Sequence, residues 1–369
     1  LRTKLTDHDG SGWKFTFHIM DHVEYKTNPR RRTMGYHSIY DEYKDHYCKF
    51  DLGDEIEFHF HPMNYTHDAH RCATTYDPSP TFHQILSRRL IDRSTFPSSF
   101  RAGFQCIRHD SNLILEQWIP FDISNMSEDS YQYLSGQTDF SNGRSADWRG
   151  APTDWSVYQP SISDWRKPGL LKRTIARALN PLNRIGSLTQ NEVNKAFATA
   201  SSGKPVILGI ASHDWRDLRT EITYSQNMIR NACEQFPSIP YYFESTRDAF
   251  RRCLNYRPTQ AKPKGTLYWN ADNIPEIKLD VSEIDFFMMQ PYIAIKTKGG
   301  NYFRDNANLG NSNEFFYAFY FDTIELENID VIAIALTSVD GTVWTAHLTR
   351  EELSLLNIGT RMELSFAKN

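Results

Sequence analysis

Residues Trp13 to Met20 alternate apolar and polar side chains, the period-two pattern of a strand with one buried face. Ser38 to Tyr47 carries the apolar spacing of a short helix, and Glu55 to His61 returns to strand alternation. A strand, a helix and a strand in this order predict a βαβ unit, in which a right-handed crossover joins parallel strands. Polar chemistry in such folds collects at the carboxyl ends of the strands.

The alternation continues. Thr81 to Leu90 reads as a helix, Ser99 to Phe104 as a strand running into a glycine turn, and Ser111 to Trp118 as a second helix. Ser124 to Pro168 is polar, but Trp148, Trp155, Tyr158 and Trp165 anchor it as an excursion over the mouth of the fold. Arg173 to Leu179 and Gln190 to Ala200 read as helices, the second opened by Thr189 with Glu192 placed for a capping box. Pro205 to Ala211 is an apolar run of the buried parallel-strand type that stops at Ser212-His213-Asp214. Glu221 to Gln235 is a helix, Tyr241 to Glu244 a short strand and Ser245 to Leu254 a helix.

The pattern changes after Pro258. Strand-like runs at Gly265 to Trp269, Ile274 to Leu279, Tyr292 to Lys298, Phe315 to Phe321, Val331 to Leu336 and Val343 to Leu348 are separated by turn signals such as Lys298-Gly299-Gly300 and Val339-Asp340-Gly341. Only Arg350 to Leu356 suggests a helix. Two domains are expected: residues 1–260, an α/β unit, and residues 261–369, a β-rich accessory module.

Charge narrows the partners. With 41 basic and 45 acidic residues the net charge is -4, so there is no basic field of the kind that gathers nucleic acid or anionic membrane. Mean hydropathy is -0.58, and no apolar run is long enough to span a bilayer. The five cysteines (Cys48, Cys72, Cys106, Cys233 and Cys253) contain no CxxC pair, and their odd number argues for a reducing, cytoplasmic compartment. The sequence does not indicate the oligomeric state.

Three polar clusters fall at expected strand ends. His59 and His61 lie two residues apart on one face of a strand and converge where a metal ion could sit, although such a pair is also common as a hydrogen-bonded surface feature. Arg101 in Phe-Arg-Ala-Gly either organises a cleft or ties loops together, and His213 with Asp214 either supplies a proton or opens the loop before the next helix. Asp21 follows the first strand and lies at the same end of the fold. Asp122 and Ser124 read as braces of a strand end.

In order, these segments resemble the polysaccharide deacetylase family, the metal-dependent carbohydrate esterases of the fourth family within the glycoside hydrolase/deacetylase superfamily. Trp13 to Ile19 looks like the family's second strand, Gly53 to His59 like its Gly-His-Glu-Ile-Gly-x-His strand, and Phe100 to Gly103 like its Arg-x-Pro-x-Gly loop. Pro120 to Ser124 is similar to its Tyr-Asp-x-Ser ending, and Leu208 to His213 falls where it carries a late histidine. The resemblance covers positions 13 to 256.

The resemblance implies a distorted (β/α) barrel lacking its first strand, and a metal-dependent hydrolase that removes an N-acetyl group from a sugar of a polysaccharide or glycan precursor. It further implies a divalent metal, zinc by preference, held by His59, His61 and Asp21, with His213, Asp214 and Arg101 as catalytic residues and a carbohydrate as substrate. The alternatives are an inactive glycan-binding or scaffold protein and a glycoside hydrolase. Three departures bear on this. The histidines are spaced i and i+2 rather than i and i+4, the opening Asp-Asp strand has no counterpart, and Ala102-Gly103 lacks the family's proline.

Overall fold

The computed structural model describes residues 1–21, 35–67, 71–76, 80–129, 147–182, 187–213, 216–320 and 323–369. Six strands form one parallel sheet that curls into a half-barrel: β1 (Thr16–Ile19), β2 (Glu55–Phe60), β3 (Ser99–Ala102), β4 (Phe121–Asn125), β5 (Thr174–Leu179) and β6 (Gly209–Ile210). Their order across the sheet is their order in the chain, and among the described residues β1 and β6 remain its two edges. Helices α1 (Ser38–His46), α2 (Pro80–Arg93), α3 (Ser111–Leu115), α4 (Gln190–Ser201), α5 (Leu218–Gln235) and α6 (Thr246–Leu254) complete this half of the chain.

Register assigns the two faces. Ile19, Phe58, Phe100, Asp122 and Ile175 are successive partners across the sheet, and their row faces the large core, where Phe82, Ile85 and Leu86 of α2 pack. The alternate row holds His18 beside Glu57 and His59 beside Arg101. At the amino ends of the strands this second face is filled by α6. Phe250 stacks on Phe121 with ring centroids 4.5 Å apart and planes 3° apart, and Arg247 pairs with Glu55 at 2.8 Å. The carboxyl ends are left for His59 and Arg101.

The segment Arg173 to Leu179 departs from its expected helical state. Alanine and arginine favour a helix locally, yet every residue of Thr174–Leu179 is buried, and β5 pairs with β4 and β6. Burial works here because the two arginines find acids: Arg173 meets Asp122 at 2.9 Å and Arg177 meets Glu192 at 2.5 Å. Tertiary pairing overrides propensity.

Smaller differences follow the same logic. Tyr241 to Glu244 is extended without joining a sheet, because its backbone is used to hold the amino-terminal turn: Phe243 N–H donates to Asp7 Oδ2 at 2.7 Å. The Asp7 Oδ1 accepts from the N–H groups of Asp9 and Ser11, so this aspartate builds a turn. Thr189 caps α4 as expected, although Glu192 turns its carboxylate to Arg177 rather than back to the cap.

The carboxyl-terminal part contains two antiparallel sheets. Its strands are β7 (Lys264–Trp269), β8 (Pro275–Asp280), β9 (Tyr292–Thr297), β10 (Tyr302–Asp305), β11 (Asn308–Leu309), β12 (Glu314–Ala318), β13 (Ile329–Thr337), β14 (Val343–Thr349), β15 (Arg361–Glu363) and β16 (Ala367–Lys368), with helix α7 (Arg350–Ser354). The orders are β10-β9-β13-β14-β16 and β11-β12-β8-β7-β15, with an apolar core containing Leu267, Ile277, Ile293, Ile332 and Trp344. The first sheet also packs on α2. Tyr292 donates to the His83 carbonyl at 2.9 Å, and Ala294, Ala333 and Ala335 belong to the same core as Phe58 and Phe100.

Candidate functional site

Strand β2 carries His59 on the face opposite the Phe58 row and delivers His61 one residue beyond its end. The two Nε2 atoms lie 3.0 Å apart, and His59 Nδ1 is 2.8 Å from the carbonyl oxygen of Arg101, its partner in the ladder. A carbonyl only accepts, so His59 Nδ1 carries the hydrogen and its Nε2 presents a lone pair. The hydrogen between the rings then belongs to His61 Nε2, which leaves His61 Nδ1 unprotonated in the neutral pair.

The surroundings keep His59 neutral. Burial pushes its pKa well below the usual histidine value, and the neighbouring His61 and the Arg101 guanidinium reinforce that direction. His18, on the same face, donates to or accepts from Ser99 Oγ at 3.1 Å and is driven down to about 3, chiefly by burial. Arg101 is lowered to about 10 by burial and donates to the Ile123 carbonyl, which fixes its charge where it acts on His59. Asp122 and Ser124 are braces, as expected. Asp122 Oδ1 accepts from the Ser124 N–H at 2.7 Å, and Ser124 Oγ accepts from the Ala102 N–H at 2.8 Å.

The turn after β3 explains the glycine in Phe-Arg-Ala-Gly. A Cβ on Gly103 would lie 2.2 Å from Cδ2 and 2.5 Å from Nε2 of His61, so the imidazole packs where a side chain would stand. Phe104 meets the same ring edge-on with centroids 4.8 Å apart. On another side the Cys106 and His61 side chains act on the Cys72 thiol and pull it down to about 5, below the usual thiol value.

The remaining expected residues are placed elsewhere. Asp21 lies two positions beyond Ile19 and therefore on the helix-facing side of the sheet. There its Oδ2 meets Arg89 Nη1 at 3.1 Å with both side chains almost wholly buried. Burial raises its pKa against the opposing pull of Arg89. The carboxylate is committed to α2 rather than to the histidines. His213 is exposed just past β6, at the opposite edge of the sheet's C-terminal half, and Asp214 lies outside the described residues. Near His213 along the chain, Glu221 accepts from Ser212 and pairs with Arg216 at 3.1 Å.

A divalent ion was expected at the histidine pair. Two imidazoles on one tetrahedral zinc, with Zn–N of about 2.05 Å, hold their nitrogens about 3.3 Å apart. The observed 3.0 Å and the carbonyl behind His59 Nδ1 suit that role, and His61 would serve through Nε2 only by moving its hydrogen to Nδ1. The set stops at two: among the described residues no group of three His, Cys, Asp or Glu is arranged to hold a metal. Sequence reasoning missed His18, Cys72 and Cys106. Strand parity with His59 gives a signal for the first; nothing in the spacing of the cysteines gives one for the others.

No family model matches the chain. No curated protein matches it either. Among solved structures, the alpha-toxin of Clostridium perfringens isolated from avian strain SWCP aligns at 10% identity over 48% of this chain and 60% of that one. Its TM-score of 0.14 is too low for the likeness to carry a fold or a function, and among the described residues no helix is long and apolar enough to cross a membrane.

Proposed function

We propose that the chain is a hydrolase of sugar-linked acetyl groups, deacetylase-like in design, with its reaction centre at His59, His61 and Arg101. In this reading the half-barrel corresponds to the distorted (β/α) barrel of that family. The observation that carries the reading is the imidazole pair at the carboxyl end of β2, 3.0 Å apart, with His59 Nδ1 held by the Arg101 carbonyl at 2.8 Å. The Nε2 lone pair of a neutral His59, once released from its His61 partner, can take a proton from water or bind an electrophile, and the Arg101 guanidinium opposes its protonation. His213 would give the proton to the leaving amine, and Asp214 would orient it. A divalent ion, zinc by preference, would use the same two imidazoles as ligands, and the described residues do not complete its ligand set.

That incompleteness favours a second reading, a glycan-binding protein without hydrolysis. Acetate release from N-acetylated oligosaccharides, with and without added zinc, separates the two. The hydrolase reading predicts acetate from the wild type and a loss of about a hundredfold or more in His59→Ala and in His61→Ala. Saturable oligosaccharide binding with no acetate would leave only the binding reading.

A further inference from the structure

The turn that follows β3 holds a strained backbone beside the histidine pair. Phe104 (φ 51°, ψ 25°) and Gln105 (φ 51°) both lie in the left-handed region, and among the described residues no other two non-glycine neighbours do so in succession. A Cβ disfavours that region, so the conformation persists only where surrounding contacts over-determine it. Here they do. The Gln105 carbonyl accepts from Trp148 Nε1 at 3.1 Å and from the Ile107 N–H at 3.0 Å, and Trp148 is fully buried. The Cys106 N–H donates to the Gly103 carbonyl at 2.9 Å. With its amide oriented to satisfy both neighbours, the Gln105 side chain accepts from Arg101 Nη2 at 3.1 Å and donates to the Phe104 carbonyl at 3.3 Å.

The consequence of the strain is the aim of one side chain. The Phe104 ring meets His61 with centroids 4.8 Å apart and planes 84° apart, and the preceding Gly103 lets the same imidazole sit where a Cβ would fall 2.2 Å from its Cδ2. Taking φ of Phe104 from positive to negative would re-aim its Cα–Cβ bond and carry the ring away from His61. We infer, on the reading of His59 and His61 as the reaction centre, that Phe104 is a positioning residue: with Gly103 it holds the His61 ring where Nε2 lies 3.0 Å from that of His59, and Trp148 secures the turn that aims it. The excursion between β4 and β5, which supplies Trp148, thereby acts on the histidines through this turn.

The test compares the whole chain with its Phe104→Ala, Phe104→Tyr and Trp148→Phe variants, each checked for folding by urea denaturation. Long-range nitrogen-15 NMR reads the histidine rings, and kcat and KM are measured for acetate release. Phe104→Ala should draw the two His61 ring nitrogens together, as a loosened ring exchanges between tautomers, and lower kcat about tenfold with KM changed by less than about twofold. Phe104→Tyr keeps the ring and should restore the wild-type values. Trp148→Phe loses only the donor and should move the His61 nitrogens in the same direction as Phe104→Ala; if it does not fold, the two Phe104 variants decide. A folded Phe104→Ala or Trp148→Phe protein with wild-type His61 nitrogens would overturn the inference, whatever its activity. Shifted nitrogens in a chain whose wild type releases no acetate would refute the hydrolase reading and leave the positioning of His61 by Phe104 standing.

Discussion

Replacing Gly103 by alanine perturbs the histidine pair through a single methyl group. The backbone tolerates the change, since Gly103 does not occupy the left-handed region. The obstacle is steric: the new Cβ would fall 2.2 Å from Cδ2, 2.3 Å from Cγ and 2.5 Å from Nε2 of His61. Carbon atoms rest at about 3.5 Å or more, so the ring has to retreat by about 1.3 Å. His61 is flanked by Phe104 and Cys72, which limits where it can go. A retreat of that size stretches the 3.0 Å contact with His59 beyond hydrogen-bond range.

Overpacking of this kind costs about 1–3 kcal/mol of stability, and about 1 Å of misplacement at a reaction centre costs about a hundredfold in rate. The matched control is Gly203→Ala, at φ +85° with open space around it, which strains the backbone away from the site. Both variants are compared by urea denaturation and by kcat/KM for acetate release. Gly103→Ala should lose activity about a hundredfold more than Gly203→Ala. A folded Gly103→Ala protein with activity within twofold of the control would refute the steric argument.

Further predictions concern the support of the sheet. Arg89→Met leaves Asp21 buried without its partner and should lower unfolding free energy by about 3–5 kcal/mol in urea, part of which Asp21→Asn in the same chain restores. An unchanged midpoint would contradict this. The pH dependence has a defined sign: His18 sits at about 3 folded and 6.5 unfolded, so between those values the unfolded chain binds the extra proton. Its contribution is present above pH 6.5 and is lost as pH falls through that window, with a slope of at most about 1.4 kcal/mol per pH unit. The raised carboxyls of Asp21 and Glu55 act in the opposite sense, so the readout is the difference between wild type and His18→Gln. Stability measured from pH 4.5 to 7 should rise less steeply in the variant; parallel curves would refute the assignment.

Much of the framework was legible because local pattern and tertiary role agree. The amphipathic helices α2, α4 and α5 and strands β1 to β3 lie where periodicity put them. Strand β5 was not legible, since its helix-favouring residues are buried by arginine pairs formed with Asp122 and Glu192, distant in sequence. Strands β10, β15 and β16 are short and partly exposed, so they lack the apolar signature that marked β9 and β13. The candidate site was half legible. Strand parity correctly put His59 on one face, and the same parity, applied from Ile19, sends Asp21 to the other. The thiols beside His61 depend on two loops meeting in space, which spacing along the chain does not encode.

The tautomer and accessibility of the histidine pair are measured directly by long-range nitrogen-15 NMR of the histidine rings. The predicted spectrum has His59 protonated at Nδ1 and bare at Nε2 through the pH range in which an ordinary histidine takes up its second proton, with the His59 and His61 nitrogens shifting saturably as an N-acetylated oligosaccharide is added. A His59 that titrates near 6.5, or ring nitrogens indifferent to the oligosaccharide while it binds elsewhere, would contradict the claim that this pair is the reaction centre.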